Sequence, residues 1–252
     1  MAAKLSSDDI LIALICRCLA LLVLVNLALA DPALAGAGSS PRIFLHLLSP
    51  TTKNACSQVT LGCCSDAVTR GYLHQPYFLY VLASPSDSML SANTGISRAR
   101  FGIEYEGGAG GNGDPSRDIT VYNWTHCATQ QLGGPGPSSW PSPRTGIELI
   151  WDAEAACQRA PVAVLGYFYL SASSWSGFRI APHPMDPYTI VASCDFVEYR
   201  VQPYTPDVSE PAEARFSEDA ASPGGNPCRG ACPTASIEPA TWSRIKSGGG
   251  RR

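Results

Sequence analysis

The sequence carries little positive charge. Its 252 residues include 18 Lys and Arg residues against 21 Asp and Glu residues, a formal net charge of −3, and beyond residue 30 the lysines are Lys53 and Lys246. Nucleic-acid binding needs a basic surface that holds the phosphates, so this class of function is disfavoured. Low charge together with 23 Gly and 21 Pro residues is instead typical of a β-rich extracellular domain.

The short motifs of common metal sites and nucleophilic enzymes are missing as well. No His-x-His, His-Glu-x-x-His or paired Cys-x-x-Cys spacing occurs, and zinc sites depend on such spacings. No Gly-x-Ser-x-Gly elbow is present, and a cysteine nucleophile is disfavoured where thiols are oxidised. We therefore predict no catalytic residue, no cofactor and no metal ligand. The histidines are scattered at His46, His74, His126 and His183.

The longest apolar run lies at the N-terminus, over residues 10–30. Ala28-Leu-Ala30 and Ala33-Leu-Ala35 both fit the small-residue pattern that signal peptidases cleave. We predict that residues 1–35 are a secretory signal peptide, which makes the protein secreted, periplasmic or located at the cell surface. The alternative is an uncleaved membrane anchor, because a run of this length can cross a bilayer.

Eight of the ten cysteines follow this segment. An even number in an exported chain indicates disulfide bonds. We expect Cys56 to pair with Cys63 or Cys64, and Cys194 to pair with the remaining member of that adjacent pair. The other expected bonds join Cys127 to Cys157 and Cys228 to Cys232.

Between residues 41 and 203 the chain consists of short apolar runs separated by Gly, Pro, Asn and Ser. This pattern predicts an all-β domain, an antiparallel sandwich or barrel, and of these we favour an immunoglobulin-like antiparallel β-sandwich. Residues 99–106 alternate, with Phe101, Ile103 and Tyr105 on one face. Residues 162–172 are apolar almost throughout, which predicts a strand covered on both faces. The expected strands cover 42–48, 77–83, 99–106, 119–124, 146–151, 162–172, 178–180, 188–192 and 196–202.

After Pro203 the composition changes to Pro, Ala, Ser, Glu and Gly with few core-forming residues. We predict that residues 204–252 are a disordered, flexible extension that ends in a short motif at 240–246.

A glycine-rich stretch follows the strand at 99–106. Residues 108–113 match Gly-x-Gly-x-x-Gly, but residues 119–124 continue as a β-branched and aromatic run. A dinucleotide-binding loop needs a helix at this point, so we interpret the stretch as a long hairpin loop between antiparallel strands.

Two pairs of residues remain as candidate site residues. Glu104 and Glu106 could act as paired carboxylates, but their alternation indicates a solvated strand face. Trp140 and Trp175 lie in loop-like sequence, and exposed aromatic residues mark interaction surfaces. These two tryptophans are the candidates for ligand contact.

The order of several short stretches resembles a group of uncharacterised secreted bacterial proteins. The resemblance depends on NAC at 54–56, RFGIEYE, WTHC at 124–127, GIELIW, IAPHP at 180–184, VASCD at 191–195 and, near the end, NPC with ATWSRIK. Separately, residues 99–106 are similar to a strand of cohesin-like sandwiches, which bind protein or surface partners. The first resemblance implies a fold and a compartment, and no catalytic residues.

These observations favour a non-enzymatic binding or structural module at or outside the cell envelope, with a protein or glycan partner at the cell surface. Membrane contact would come only through an uncleaved N-terminal segment. The alternative is a secreted hydrolase of polysaccharide or peptide, with Glu106, Asp114 or Asp118 in acid and base roles. In a third hypothesis, residues 240–246 are a sorting or docking tag.

Overall fold

A computed structural model describes residues 40–51, 55–59, 61–86, 89, 92–109, 118–133, 140–186, 188–201 and 211–228. The predicted signal peptide or anchor and the motif at 240–246 lie outside these residues. Within them, no helix is long and apolar enough to span a membrane. Their strands are β1 (Arg42–Leu48), β2 (Arg70–Tyr72), β3 (Pro76–Ser84), β4 (Ile96–Tyr105), β5 (Gly107–Ala109), β6 (Ile119–His126), β7 (Gln130–Gly133), β8 (Gly146–Ile150), β9 (Ala163–Ala172), β10 (Ser176–Ala181), β11 (Thr189–Ser193), β12 (Glu198–Val201) and β13 (Glu213–Ser217), with one 3-10 turn at Cys64–Asp66.

The strands form two sheets, as the sequence predicts. Sheet 1 has the order β1-β3-β9-β6-β5, and sheet 2 has the order β12-β11-β4-β10-β13-β2, with β8 paired to β4 and β7 paired to β8. The pairs are antiparallel except β5 with β6 and β13 with β2. The prediction of an all-β, mainly antiparallel sandwich is confirmed.

The main core lies where alternate side chains of the two sheets meet. Phe101 and Ile103 of β4 are fully buried together with Leu79 of β3 and Phe168 of β9. Because successive side chains of a strand point to opposite faces, the predicted alternation of β4 directs its charged residues to the outer face. Burial of these large apolar side chains is the principal stabilising contribution.

Sheet 1 has a second, smaller core on its outer face. Phe44, Phe78, Tyr80 and Tyr167 form this cluster. Ala55 and Cys228 are buried in it, and partly buried residues between 56 and 67 pack against it. The central strand β9 is therefore covered on both faces, as its apolar sequence predicts.

The expected disulfide pairing is wrong in each bond that can be compared. Cys56 is bonded to Cys127, Cys64 to Cys228 and Cys157 to Cys194, with Cα–Cα distances of 5.7, 5.6 and 6.0 Å. Cys63 is disulfide-bonded as well. The expectation joined cysteines close in sequence, whereas the bonds join segments that the sheets bring together. The bonds of Cys56 and Cys64 hold the segment that covers the outer face of sheet 1.

The prediction that residues 204–252 form a disordered extension is wrong for 211–228. β13 pairs with both β10 and β2, and its residues Ala214 and Phe216 are fully buried. Asn226 donates a side-chain hydrogen bond to the carbonyl of Cys64. The strand is only five residues long, so its two apolar residues are inconspicuous among polar neighbours. Residues 202–210 and 229–252 lie outside the described part.

The glycine-rich stretch is not a hairpin between paired strands. β4 belongs to sheet 2 and β6 to sheet 1, so the chain changes sheet between them. β5 pairs in parallel with β6, and the amide of Ile119 donates to the carbonyl of Glu106. As predicted, a strand follows the glycines. Residues 110–117 lie outside the described part.

Candidate functional site

The outer face of sheet 2 carries ordered pairs of opposite charges. Arg98 contacts both Glu148 and Glu198, and Arg100 lies 2.6 Å from Asp186. Arg98 and Arg100 share this face because every second residue of β4 points outward, and their partners lie on β8, on β12 and in the segment between β10 and β11. Exposed ion pairs contribute little stability, so their main effect is a polar surface with fixed donors and acceptors.

A short segment crosses the middle of this face. β10 pairs with residues 102–105 of β4, and β11 pairs with residues 96–100 of β4. Both lie on the side of β4 opposite to β8. Residues 182–186 leave the sheet between them. Gly102 and Gly146 are paired under this segment, and a Cβ at either would collide with it, at Pro182 from Gly102 and at His183 from Gly146. The two glycines are therefore required for the segment to lie on the sheet.

The surroundings of His183 in this segment favour the neutral imidazole. Its Nδ1 accepts a hydrogen bond of 3.3 Å from the amide of Met185. Burial, and secondarily the nearby Arg100, lowers the pKa of His183, because a second positive charge is unfavourable there.

The same sheet also borders an open cleft of about 380 Å³. It lies at the end of β4, where β10, β13 and the loop before β8 approach one another. Two ion pairs belong to it: Arg179 donates to Glu104, with Nε at 2.7 Å, and Arg215 lies 3.0 Å from Glu213. We call this site the cleft; its lining residues are Glu104, Tyr105, Glu106, Arg144, Trp175, Ser176, Gly177, Arg179, Glu213 and Arg215.

Gly177 keeps the cleft open. It lies on β10 opposite Arg215, and a Cβ at this position would lie 2.5 Å from Oε1 of Glu213. A larger residue would displace this carboxylate and disturb its ion pair with Arg215.

Trp175 stands at the rim of the cleft with 66% of its surface exposed. The turn that carries it is fixed by hydrogen bonds. The amide of Ser173 donates to the carbonyl of Asp118 at 2.9 Å, the hydroxyl of Ser174 donates to the Asp118 carboxylate, and the hydroxyl of Ser176 donates to the carbonyl of Ser174. The turn therefore presents an exposed aromatic ring from a fixed backbone.

Arg144 lines the same cleft from the loop before β8. Its φ is 63°, a left-handed conformation that is uncommon outside glycine and asparagine. The amide of Arg144 donates to the carbonyl of Ile103 at 2.8 Å, which fixes the residue against β4. Arg144 is exposed, and its guanidinium forms no ion pair with any described carboxylate.

No protein-family model and no curated protein matches the sequence. Two solved structures from Acetivibrio cellulolyticus are similar: the sixth cohesin of scaffoldin B, in complex with a Cel5 dockerin, and a type II cohesin domain from the cellulosome. They are 11% and 12% identical to this chain, cover 69% of it and 97% and 95% of their own lengths, and have a TM-score of 0.37. Both are cohesins, in agreement with the resemblance of residues 99–106. At this TM-score the likeness carries no argument about function.

The two predicted ligand-contacting tryptophans occupy different environments. Trp140 is partly buried, and its ring packs 5.4 to 5.9 Å from the rings of Trp124, Phe168 and Phe101. Trp140 therefore belongs to the core, whereas Trp175 reaches the cleft. The sequence did not indicate which of the two tryptophans is buried, because both follow two serines in similar loop-like surroundings.

The predicted acidic residues are brought together only in part. Glu104 and Glu106 both line the cleft, and Glu104 is engaged by Arg179. Asp118 supports the turn of Trp175 instead of facing the cleft lining, and Asp114 lies outside the described part. No group of three His, Cys, Asp or Glu residues in the described ranges could hold a metal ion.

Sequence reasoning missed the three arginines of the cleft. Arg179 and Arg215 lie on β10 and β13, and Arg144 precedes β8. Arg179 is paired with Glu104, and this pairing could have indicated the site. It can be recognised only once β10 is known to pair with β4.

Proposed function

We propose that the protein is an exported, non-catalytic binding module that binds a partner at or outside the cell envelope through the cleft. The observation that carries this proposal is the presence of Trp175 and Arg144 in one cleft, each on a fixed backbone. Tryptophan and arginine are enriched among the residues that dominate binding energies. A tryptophan side chain has only two rotatable bonds, so on a fixed backbone it loses little conformational entropy on binding.

Export is supported by the disulfide bonds. Bonds such as Cys56–Cys127 and Cys157–Cys194 persist in oxidising compartments and are rare in the cytosol. We infer that residues 1–35 direct export. Cell fractionation and alkylation of native protein test this: export predicts protein outside the cytoplasm with these cysteines unreactive, and reactive thiols in correctly localised protein would contradict it.

The binding role is tested by sedimentation of the exported protein with isolated cell envelopes. We expect Trp175→Ala to weaken binding at least about tenfold, because it removes the exposed aromatic contact. Phe196→Ala is the matched control, since Phe196 is 77% exposed and does not line the cleft. Equal binding by the native protein and Trp175→Ala would refute the role of the cleft.

The hydrolase alternative is distinguished in the same preparation. It predicts turnover of a glycan or peptide that is lost on Glu106→Gln or Asp114→Asn. Binding without turnover on such a panel supports the proposed binding module.

A further inference from the structure

We propose that the cleft binds a saccharide that carries a carboxylate group, such as a glycan containing uronic acid residues. The inference rests on the proposed function, because it names the ligand class of the same site. It depends on three features of the cleft: an exposed aromatic ring, a floor of paired charges, and one cation that no carboxylate of the described residues neutralises.

The aromatic ring favours a ligand with a flat apolar patch. Trp175 exposes 66% of its surface, on a turn tied to Asp118. The face of an indole is electron-rich and apolar. The C–H groups on one face of a pyranose ring carry small positive charges and form such a patch, so they can stack on Trp175 while the hydroxyls point sideways.

The floor of the cleft favours hydroxyl groups over apolar ligand surface. Arg179 with Glu104, and Arg215 with Glu213, hold N–H donors and carboxylate acceptors at fixed positions on adjacent strands. A sugar hydroxyl both donates and accepts, so one hydroxyl can serve both members of a pair. An apolar ligand would dehydrate these charges without compensation, which is costly.

Arg144 selects the charge of the ligand. Its guanidinium is free of ion pairs with described residues, and a planar guanidinium binds a carboxylate through two parallel hydrogen bonds. Three carboxylates line the same cleft, at Glu104, Glu106 and Glu213, and they oppose a densely charged polyanion. The arrangement therefore suits isolated carboxylates separated by neutral rings.

The size of the cleft agrees with this ligand class. Small-molecule sites occupy about 300–1,000 Å³, and the cleft occupies about 380 Å³. The cleft is open to solvent, so a longer glycan can enter it with a short internal or terminal stretch.

The test is calorimetric titration of the exported protein with trisaccharides of galacturonate and glucuronate, with their methyl esters, and with a triglutamate peptide. We expect at least one acidic trisaccharide to bind, with its ester at least about tenfold weaker because the charge-assisted bonds are lost. Arg144→Asn should remove the preference for the acid and leave the affinity for the ester unchanged. Asparagine is chosen because it tolerates a left-handed backbone.

Trp175→Ala should weaken acid and ester alike, at least about tenfold. Two controls outside the cleft should keep native affinities: Phe196→Ala, and Arg159→Gln, whose guanidinium donates a hydrogen bond to the carbonyl of Asn93.

Four results would overturn the inference. Equal binding of acid and ester, or an acid preference that survives in Arg144→Asn, refutes the carboxylate recognition. Binding of triglutamate alone, lost in Trp175→Ala, refutes the saccharide class and leaves the proposed binding function intact. If no saccharide binds, the ligand class is refuted. The proposed function is refuted as well only if the native protein and Trp175→Ala also sediment equally with cell envelopes.

Discussion

Tyr80 lies in the small core on the outer face of sheet 1, and its replacement by phenylalanine tests how that core is stabilised. Its side chain is fully buried, and its hydroxyl donates to the carbonyl of Ala55 at 3.2 Å. Burial, and secondarily the neighbouring Tyr167, raises the pKa of Tyr80 to about 12. The folded protein therefore favours the neutral phenol.

The pH dependence follows from the difference between the folded and unfolded pKa values. A raised pKa contributes stability that is fully present below the unfolded value of about 10 and is lost as the pH rises through 12. At pH 11 the unfolded phenol is mostly ionised and the folded phenol mostly neutral, so Tyr80 should lower the free energy of unfolding by about 1.4 kcal/mol relative to pH 8.

Tyr80→Phe should behave differently at the two pH values. At pH 8 it should cost about 0.5–1.5 kcal/mol, because the carbonyl of Ala55 loses one hydrogen bond and keeps the one from the amide of Gln58. Between pH 8 and pH 11 the free energy of unfolding of Tyr80→Phe should fall by about 1.4 kcal/mol less than that of the native protein. Urea unfolding followed by circular dichroism measures both quantities.

The control for this experiment is Tyr122→Phe, which removes an exposed hydroxyl bonded to Ser171. This variant should keep the alkaline decline attributed to Tyr80. If Tyr80→Phe declines as steeply as the native protein, the phenol does not contribute the alkaline sensitivity, and the reasoning from burial is refuted.

Two further predictions concern packing and acid stability. Gly146→Ala should lower the free energy of unfolding by about 1–3 kcal/mol in urea titrations, because its Cβ would collide with His183 and Pro184. The control is Gly133→Ala, whose Cβ would have nothing within 4 Å and whose free energy of unfolding should stay within about 0.5 kcal/mol of the native value. Equal losses in the two variants would disprove the packing role of Gly146. Burial lowers the pKa of His46, whose Nδ1 accepts from the amide of Val68, so its contribution is present above about pH 6.5 and declines as the pH falls below that value. His46→Asn supplies an amide oxygen for the same bond and should show a shallower decline between pH 7.5 and 5.5; an unchanged slope would exclude His46 as a source of acid sensitivity.

Much of the fold could be predicted because β-structure leaves a local signature. The alternation of residues 99–106 gave the buried face of β4, and the apolar run at 162–172 gave a strand covered on both faces. Both are consequences of a two-residue side-chain period. The short strand β13 was not predicted because its two buried apolar residues, Ala214 and Phe216, are too few to establish a period.

The candidate site was predictable only in part. Trp175 was identified as a possible ligand contact, but Trp140 had the same local character and lies in the core. No sequence pattern pointed to Arg144, since its position depends on a hydrogen bond from its amide to the carbonyl of Ile103 in β4. A short stretch of sequence does not show whether a side chain is exposed, or which distant side chains meet it in the fold.

By itself, the sequence determined the all-β class, most strand positions and the presence of disulfide bonds, since strand periodicity and an even number of cysteines are read along the chain. The tertiary structure decided which cysteines meet, that 211–228 complete the domain, and that Trp175 and Arg144 share one cleft. These features join residues far apart in sequence. They depend on how the strands pair and stack, which is settled by the packing of the whole core.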